Sequence, residues 1–159
     1  MFGQLKIEIR KATPTEDPII AEHFHQMWLD IGVPPESIRS NWFDLTVQFI
    51  ENARKELSYN AFFAVADGKI VGSSSCQLFA GLYPNILAAD IRQYGYIWGV
   101  YVEAEYRHRG IGSELVGEAI AYLKSLGCTK AVLHTAPLAK SLYSHMGFED
   151  GNQMELDLS

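Results

Sequence analysis

The densest group of side chains able to do chemistry is Arg107-His108-Arg109-Gly110-Ile111-Gly112, with two guanidinium groups and an imidazole just ahead of two glycines. This spacing suits an anion. Glycines let a ligand approach the backbone where a Cβ would intrude, and arginines supply charge-assisted hydrogen bonds. A helix that starts here adds N–H groups with no carbonyl partner and a dipole that favours negative charge. The same R-x-x-G-x-G pattern also fits a glycine-eased strand-to-helix turn flanked by solvated arginines. It is not the P-loop, whose G-x-x-x-x-G-K-[ST] spacing and lysine are missing. Nor is it the dinucleotide fingerprint, since G-x-G-x-x-G is absent and the β-structure ahead of it is hairpin-linked.

Such a loop needs a strand to deliver it and a helix to follow it, and both are predicted. Tyr94 to Val102 reads as an apolar strand, and Gly110 to Leu126 as an amphipathic helix carrying Ile111, Leu115, Ala119 and Leu123, closed by Gly127. Upstream, Leu5 to Ile9 alternates as a strand. A helix is predicted from Thr15-Glu16-Asp17-Pro18 to Asp30, and a second from Glu36 or Ser37 to Leu57. Asn60–Ala66 and Lys69–Leu78 are β-rich runs joined by Asp67-Gly68, a strong hairpin signal. The connection from Gly81 to Gln93 is expected to be partly helical around Asn85–Arg92. Lys130–His134 reads as a strand, Pro137–Met146 as a short helix ended by Gly147, and Phe148 onward as a closing hairpin. The predicted order is β-α-α-β-β-β-α-β-α-β-β, an α/β chain with one mixed sheet and helices packed on it.

The 159 residues suffice for one domain, 1–159, with no repeat or linker to divide it. A net charge of −6 argues against a general nucleic-acid binder and would favour a cationic substrate. No apolar run approaches the ~20 residues of a membrane span. The opening Met1-Phe2-Gly3-Gln4-Leu5-Lys6 lacks the pattern of a secretion signal. Cys76 and Cys128 suggest neither a disulfide framework nor a metal site. Together these point to a cytoplasmic protein without a metal or a membrane partner.

The run from Val100 through Arg107-His108-Arg109-Gly110-Ile111-Gly112 to Leu115 resembles the pyrophosphate-binding motif of the GNAT family of N-acetyltransferases. About thirty residues later, Leu142-Tyr143-Ser144-His145-Met146-Gly147-Phe148 is similar to that family's L-Y-x-x-x-G-F signature. The resemblance covers nearly the whole chain, by motif from Tyr94 to Phe148 and by element order before that. It departs in one place: His134-Thr135-Ala136-Pro137-Leu138-Ala139-Lys140-Ser141 lacks the asparagine many members carry, leaving Thr135 or Ser141 for its contact.

The resemblance implies the family's fold, with helices on both faces of the sheet, and acetyl-CoA as cofactor. Its pyrophosphate would meet the segment from Arg107 through His108, Arg109, Gly110 and Ile111 to Gly112, with Ser113 and Lys140 nearby. Its pantetheine would lie along the strand at Val100, Tyr101 and Val102. Gly99 suits a bulge that opens a gap beside that strand. The implied reaction is direct acetyl transfer to a primary amine of a small molecule or peptide in a ternary complex. A non-catalytic acyl-CoA sensor or interaction module is the alternative. Tyr143 matches the family tyrosine that acts as general acid toward the sulfur. For the general base, His134 ends a strand on the site side and carries an imidazole, the side-chain type suited to moving protons at neutral pH; Glu103, which follows the pantetheine strand, is the other candidate. Tyr96 would line the acceptor pocket. Family members also form homodimers through sheet edges or C-terminal strands.

Overall fold

Within residues 5–159, the part described by this computed structural model, the chain runs β1 (Ile7–Lys11), α1 (Asp17–Asp30), α2 (Trp42–Glu56), β2 (Asn60–Ala66), β3 (Lys69–Leu78), β4 (Tyr94–Val102), α3 (Ile111–Ser125), β5 (Lys130–Leu133) and α4 (Lys140–His145). Met1–Gln4, part of the segment read above as lacking a leader pattern, lie outside the described residues. The sheet order is β1-β2-β3-β4-β5, antiparallel except for the parallel pair β4–β5. The β2–β3 turn is the predicted Asp67-Gly68, with φ of 48° and 83° as a two-residue hairpin turn of right-handed twist requires.

Two apolar layers fill the two faces. Helices α1 and α2 cover one, with Ile20, Ile50, Ala53, Tyr59, Ala61 and Phe63 buried between them and the sheet. On the other, α3 and α4 cover Phe62, Ala64, Val71 and Ile97, with Leu115, Val116 and Leu123 supplied by α3. Alternation along β2 explains the division: Ala61 and Phe63 face one layer, Phe62 and Ala64 the other.

Four local expectations change. The capping chemistry before α1 belongs to Thr13 rather than Thr15: the Glu16 carboxylate accepts the Thr13 N–H at 2.9 Å and is itself held by Arg10 at 2.7 Å. The second helix starts at Trp42, because Pro35–Ser37 makes only a 3-10 turn and Ile38 is extended (φ −92°, ψ 132°). No helix forms over 85–92. There Asn85 takes over the local hydrogen bonds, donating to the Arg92 carbonyl at 3.1 Å and accepting from the Leu87 N–H at 3.2 Å.

The predicted closing hairpin is also absent: residues 149–159 hold no strand, and the sheet ends at β5. Met154, Leu156 and Leu158 alternate as a strand would, yet they are 94%, 83% and 90% exposed. Strand β5 offers a ladder of only four residues, and both faces of the sheet already have their helical layer.

Candidate functional site

The site begins where β4 and β5 part. They pair only from Tyr94↔Lys130 to Ile97↔Leu133, while β4 continues along β3 to Gly72↔Val102. From Trp98 to Val102 the side of β4 that faced β5 therefore has no strand partner among the described residues. Its backbone groups offer a peptide-like ligand the bonds a neighbouring strand would make.

The parting coincides with a bulge. Gly99 has φ +64°, and the β3–β4 register shifts between Ser73 and Ser75. Trp98 packs on Phe24 and Phe49 under α1 and α2, with ring centroids 5.2 and 5.4 Å apart. A Cβ on Gly99 would point the same way, 3.7 Å from Phe24. Two successive residues thus face one side. Beyond them Tyr101 lies against His23 of α1 (4.9 Å), whereas Val100 and Val102 join the layer under α3.

The loop after β4 has the anion-site geometry read from its glycines. His108 (φ 64°) and Gly110 (φ 79°) are both left-handed, and Gly110 is the N-cap of α3 with open space where its Cβ would stand. The first backbone bond of α3 runs from the Glu114 N–H to the Gly110 carbonyl at 3.2 Å. The N–H groups of Ile111, Gly112 and Ser113 consequently have no helical acceptor. The Ile111 side chain is buried in the core and pins the helix start, so only its backbone faces outward.

The other predicted residues divide. The Arg107 guanidinium is a strut: Nε donates to the Val102 carbonyl at 2.8 Å, and one terminal nitrogen meets Asp30 at 2.6 Å. Hydrogen bonding from Gln26 and the Arg107 pair hold the Asp30 carboxyl below its usual range, against the opposing effect of burial. Asp30 lies 77 residues away with no local motif, and so escaped sequence reasoning. Arg109 is exposed in the same loop. Lys140 pairs with Asp150 at 2.9 Å on α4, a helix whose Leu142 comes within 3.8 Å of a Cβ built on Gly112. Glu103 pairs with Lys69 at 3.1 Å.

Tyr143 is 8% exposed in the layer beneath α3, its ring 5.8 Å from Phe148, and burial raises its pKa. His134 follows β5 directly; its Nδ1 is 2.7 Å from the Tyr96 hydroxyl and its Nε2 3.2 Å from Gln153 Oε1. Tyr96 shares the α1/α2 face with Trp98 by alternation along β4. The two candidate proton-handling centres therefore lie on opposite faces of the parted strands. On the α1/α2 side a groove of about 390 Å³ is walled by Phe24, His25, Trp28, Ile38 and Trp42, with His25 stacked on Trp42 at 3.9 Å.

A site with these parts can hold an extended, phosphorylated ligand along β4 and admit a second molecule from the other face. Comparison with known proteins gives the following similarities. A family model described as "Acetyltransferase (GNAT) family" matches residues 21–148. Glucosamine 6-phosphate N-acetyltransferase of Trypanosoma brucei brucei is 33% identical over 57% of the chain, and the match spans 59% of that relative's length. Among solved structures, a GCN5-related N-acetyltransferase from Ralstonia eutropha JMP134 superposes with a TM-score of 0.81 at 20% identity, covering 96% of this chain and 99% of that one. A predicted acetyltransferase from Clostridium acetobutylicum, solved with acetyl-CoA, gives 0.80 at 21% identity, covering 96% and 97%.

Proposed function

The chain belongs to the acetyltransferase (GNAT) family, and from that membership we propose that it moves an acetyl group from acetyl-CoA to a primary amine of a small molecule or peptide, both bound at once. The observation that carries this reading is the pairing of β4 with β5, which stops at Ile97↔Leu133 while β4 runs on to Val102. Acetyl-CoA fits what is there. The amide-bearing arm matches the unpaired edge of Val100–Val102. The pyrophosphate matches the free N–H groups of Ile111–Ser113 and the Cβ-free approach at Gly110. Arg109 and Ser113 add polar groups, while Arg107 and His108 act through the loop's shape. Lys140 stands on the adjoining helix.

When bound, acetyl-CoA supplies an activated acetyl thioester; the net change joins acetyl to the amine nitrogen and releases a thiol. The residues of this chain handle the protons and orient the partners. Tyr143, kept a phenol by burial, gives its proton to the departing sulfur from the α3 side. Backbone N–H groups of the bulged strand near Val100 polarise the carbonyl. Of the two base candidates, His134 is favoured, because the Glu103 carboxylate is paired with Lys69. The amine enters over the aromatic groove, and the chain's −6 charge attracts its cationic form. Cytoplasmic residence belongs to the same reading and is supported by the two free thiols, Cys76 and Cys128.

The test is thiol release from acetyl-CoA by the purified chain against polyamines, aminoglycosides, amino sugars, amino acids and peptides. Amine-dependent release is expected for at least one class. Tight acetyl-CoA binding with no release across the panel would overturn the reading in favour of a sensor.

A further inference from the structure

We propose that Tyr96 and His134 form a proton relay for the acceptor amine, with Tyr96 Oη as the atom that takes the ammonium proton. This rests on the acetyltransferase reading and supplies the base that reading needs.

The direction of the relay follows from a chain of hydrogen bonds that ends on a group able only to accept. Gln153 Nε2 donates to Glu155 Oε1 at 3.0 Å. With its amide nitrogen turned toward the carboxylate, Gln153 presents its oxygen to His134 Nε2, 3.2 Å away. An amide oxygen only accepts, so Nε2 carries the imidazole hydrogen. In the neutral ring Nδ1 is then a bare lone pair, and the Tyr96 hydroxyl 2.7 Å from it must be the donor. With its hydrogen committed to His134, Tyr96 Oη turns its remaining lone pairs outward as acceptors.

Position makes those lone pairs useful. Tyr96 pairs with Val132, one step before the last β4–β5 pair, so its hydroxyl stands at the apex of the parted strands. It is on the α1/α2 face, across the sheet from Tyr143. Around it β3 presents Gln77 as cross-strand partner, Phe79 just after β3 lies 5.8 Å away ring to ring, and β5 presents Val132. The titratable groups bonded into the chain are His134 and, through Gln153, Glu155. Burial without a charged neighbour raises the Tyr96 pKa, which keeps it a phenol that passes a proton on.

In the step itself, an ammonium N–H bond breaks as a new Oη–H bond forms on Tyr96. The original Tyr96 Oη–H bond breaks as Nδ1–H forms on His134. Tyrosine is neutral before and after, and the positive charge moves from the amine to the imidazolium. There the Gln153–Glu155 arm supports it. His134 is exposed and returns the proton to solvent.

Two measurements test this. In the acetylation assay Tyr96→Phe should lower kcat/KM for the amine about a hundredfold near pH 7, with the Kd for acetyl-CoA unchanged. The deficit should shrink as pH rises and solvent supplies free amine. His134→Gln should show the same profile, and Gln153→Ala, outside the cleft, a smaller loss of the same shape. Tyr96→Phe removes a single oxygen from a half-buried ring, and thermal melting confirms its fold. Turnover in the wild type that Tyr96→Phe matches at every pH overturns the relay alone; no turnover in the wild type overturns the acetyltransferase reading with it. Independently of turnover, 15N NMR of the imidazole should show His134 as the Nε2–H tautomer. An Nδ1–H tautomer overturns the relay whatever the kinetics.

Discussion

Gly110 and Gly127 stand at the two ends of α3 and form a matched pair. Gly110 caps its start with φ +79°, Gly127 follows its end with φ +82°, and a Cβ added to either meets nothing within 4 Å. Alanine at each position carries the same backbone penalty of about 1–2 kcal/mol for a left-handed residue. For a chain of this length, each kcal/mol lowers Tm by about 2–4 °C. The open space around Gly110, however, is where the pyrophosphate is assigned. Gly110→Ala should therefore raise the acetyl-CoA Kd at least about tenfold, an added cost of about 1.4 kcal/mol, whereas Gly127→Ala should leave it unchanged. Calorimetric titration and thermal melting read the two quantities separately. Equal losses of Tm with equal Kd values would refute the assignment, since Gly110 would then be present for backbone conformation only.

Other expectations come from the same geometry. Tyr143→Phe should leave Tm within a degree or so, because the burial it keeps is apolar, and lower kcat at least about tenfold; unchanged turnover removes the acid role. Glu16 is held at about 2 by the Arg10 hydrogen bonds, below its ordinary 4.5. Its folded-state pKa is depressed, so its contribution is full above about pH 5 and is lost as pH falls toward 2. With Arg10 38% exposed, this is about 1 kcal/mol after screening. The melting gap between wild type and Glu16→Gln should thus be a few degrees at pH 7 and close near pH 2. Gly117→Ala, exposed in α3 with open space around it, should raise stability by about 0.5–1 kcal/mol. Gly72→Ala should lower it by about 1–3 kcal/mol, because the new Cβ lands 2.8 Å from the Tyr101 carbonyl oxygen. Denaturant midpoints of opposite sign are the check.

Legibility in the sequence followed the range of the interaction. Strand β4 is read residue for residue as Tyr94–Val102, since its apolar run and the glycines after it are local signals. So are the Asp67-Gly68 turn, the start of α3 at Gly110, and the Gly99 bulge. Nothing local to the predicted start at Glu36 or Ser37 reveals that Ile38 is extended, so the second helix begins only at Trp42. The closing hairpin expected from Phe148 onward does not form, although Met154, Leu156 and Leu158 alternate. Alternation reports that a segment has two sides, not that the sheet has an edge long enough to receive it. At the candidate site, Arg107–Gly112 and Tyr143 are the residues that the sequence offers as motifs. The Asp30–Arg107 strut spans 77 positions and the His134–Gln153 bond 19, and no pattern in the chain foretells either. From the sequence Tyr96 reads only as a pocket wall, because its partner is fixed by which face of β4 it shares.

A strand assigns its side chains to two compartments by parity, odd positions to one and even to the other. Gly99 is the place where this chain changes parity. Counted from Tyr96, an uninterrupted alternation would send Val100 and Val102 toward α1 and Tyr101 beneath α3; the extra residue exchanges them. Losing one residue there would trade the side chains facing α1 for those beneath α3 all the way to the loop after β4. The glycine at the bulge is thus a counting device, which lets a single strand turn Val100 and Val102 into the layer under α3 while Trp98 and Tyr101 face the helices on the other side.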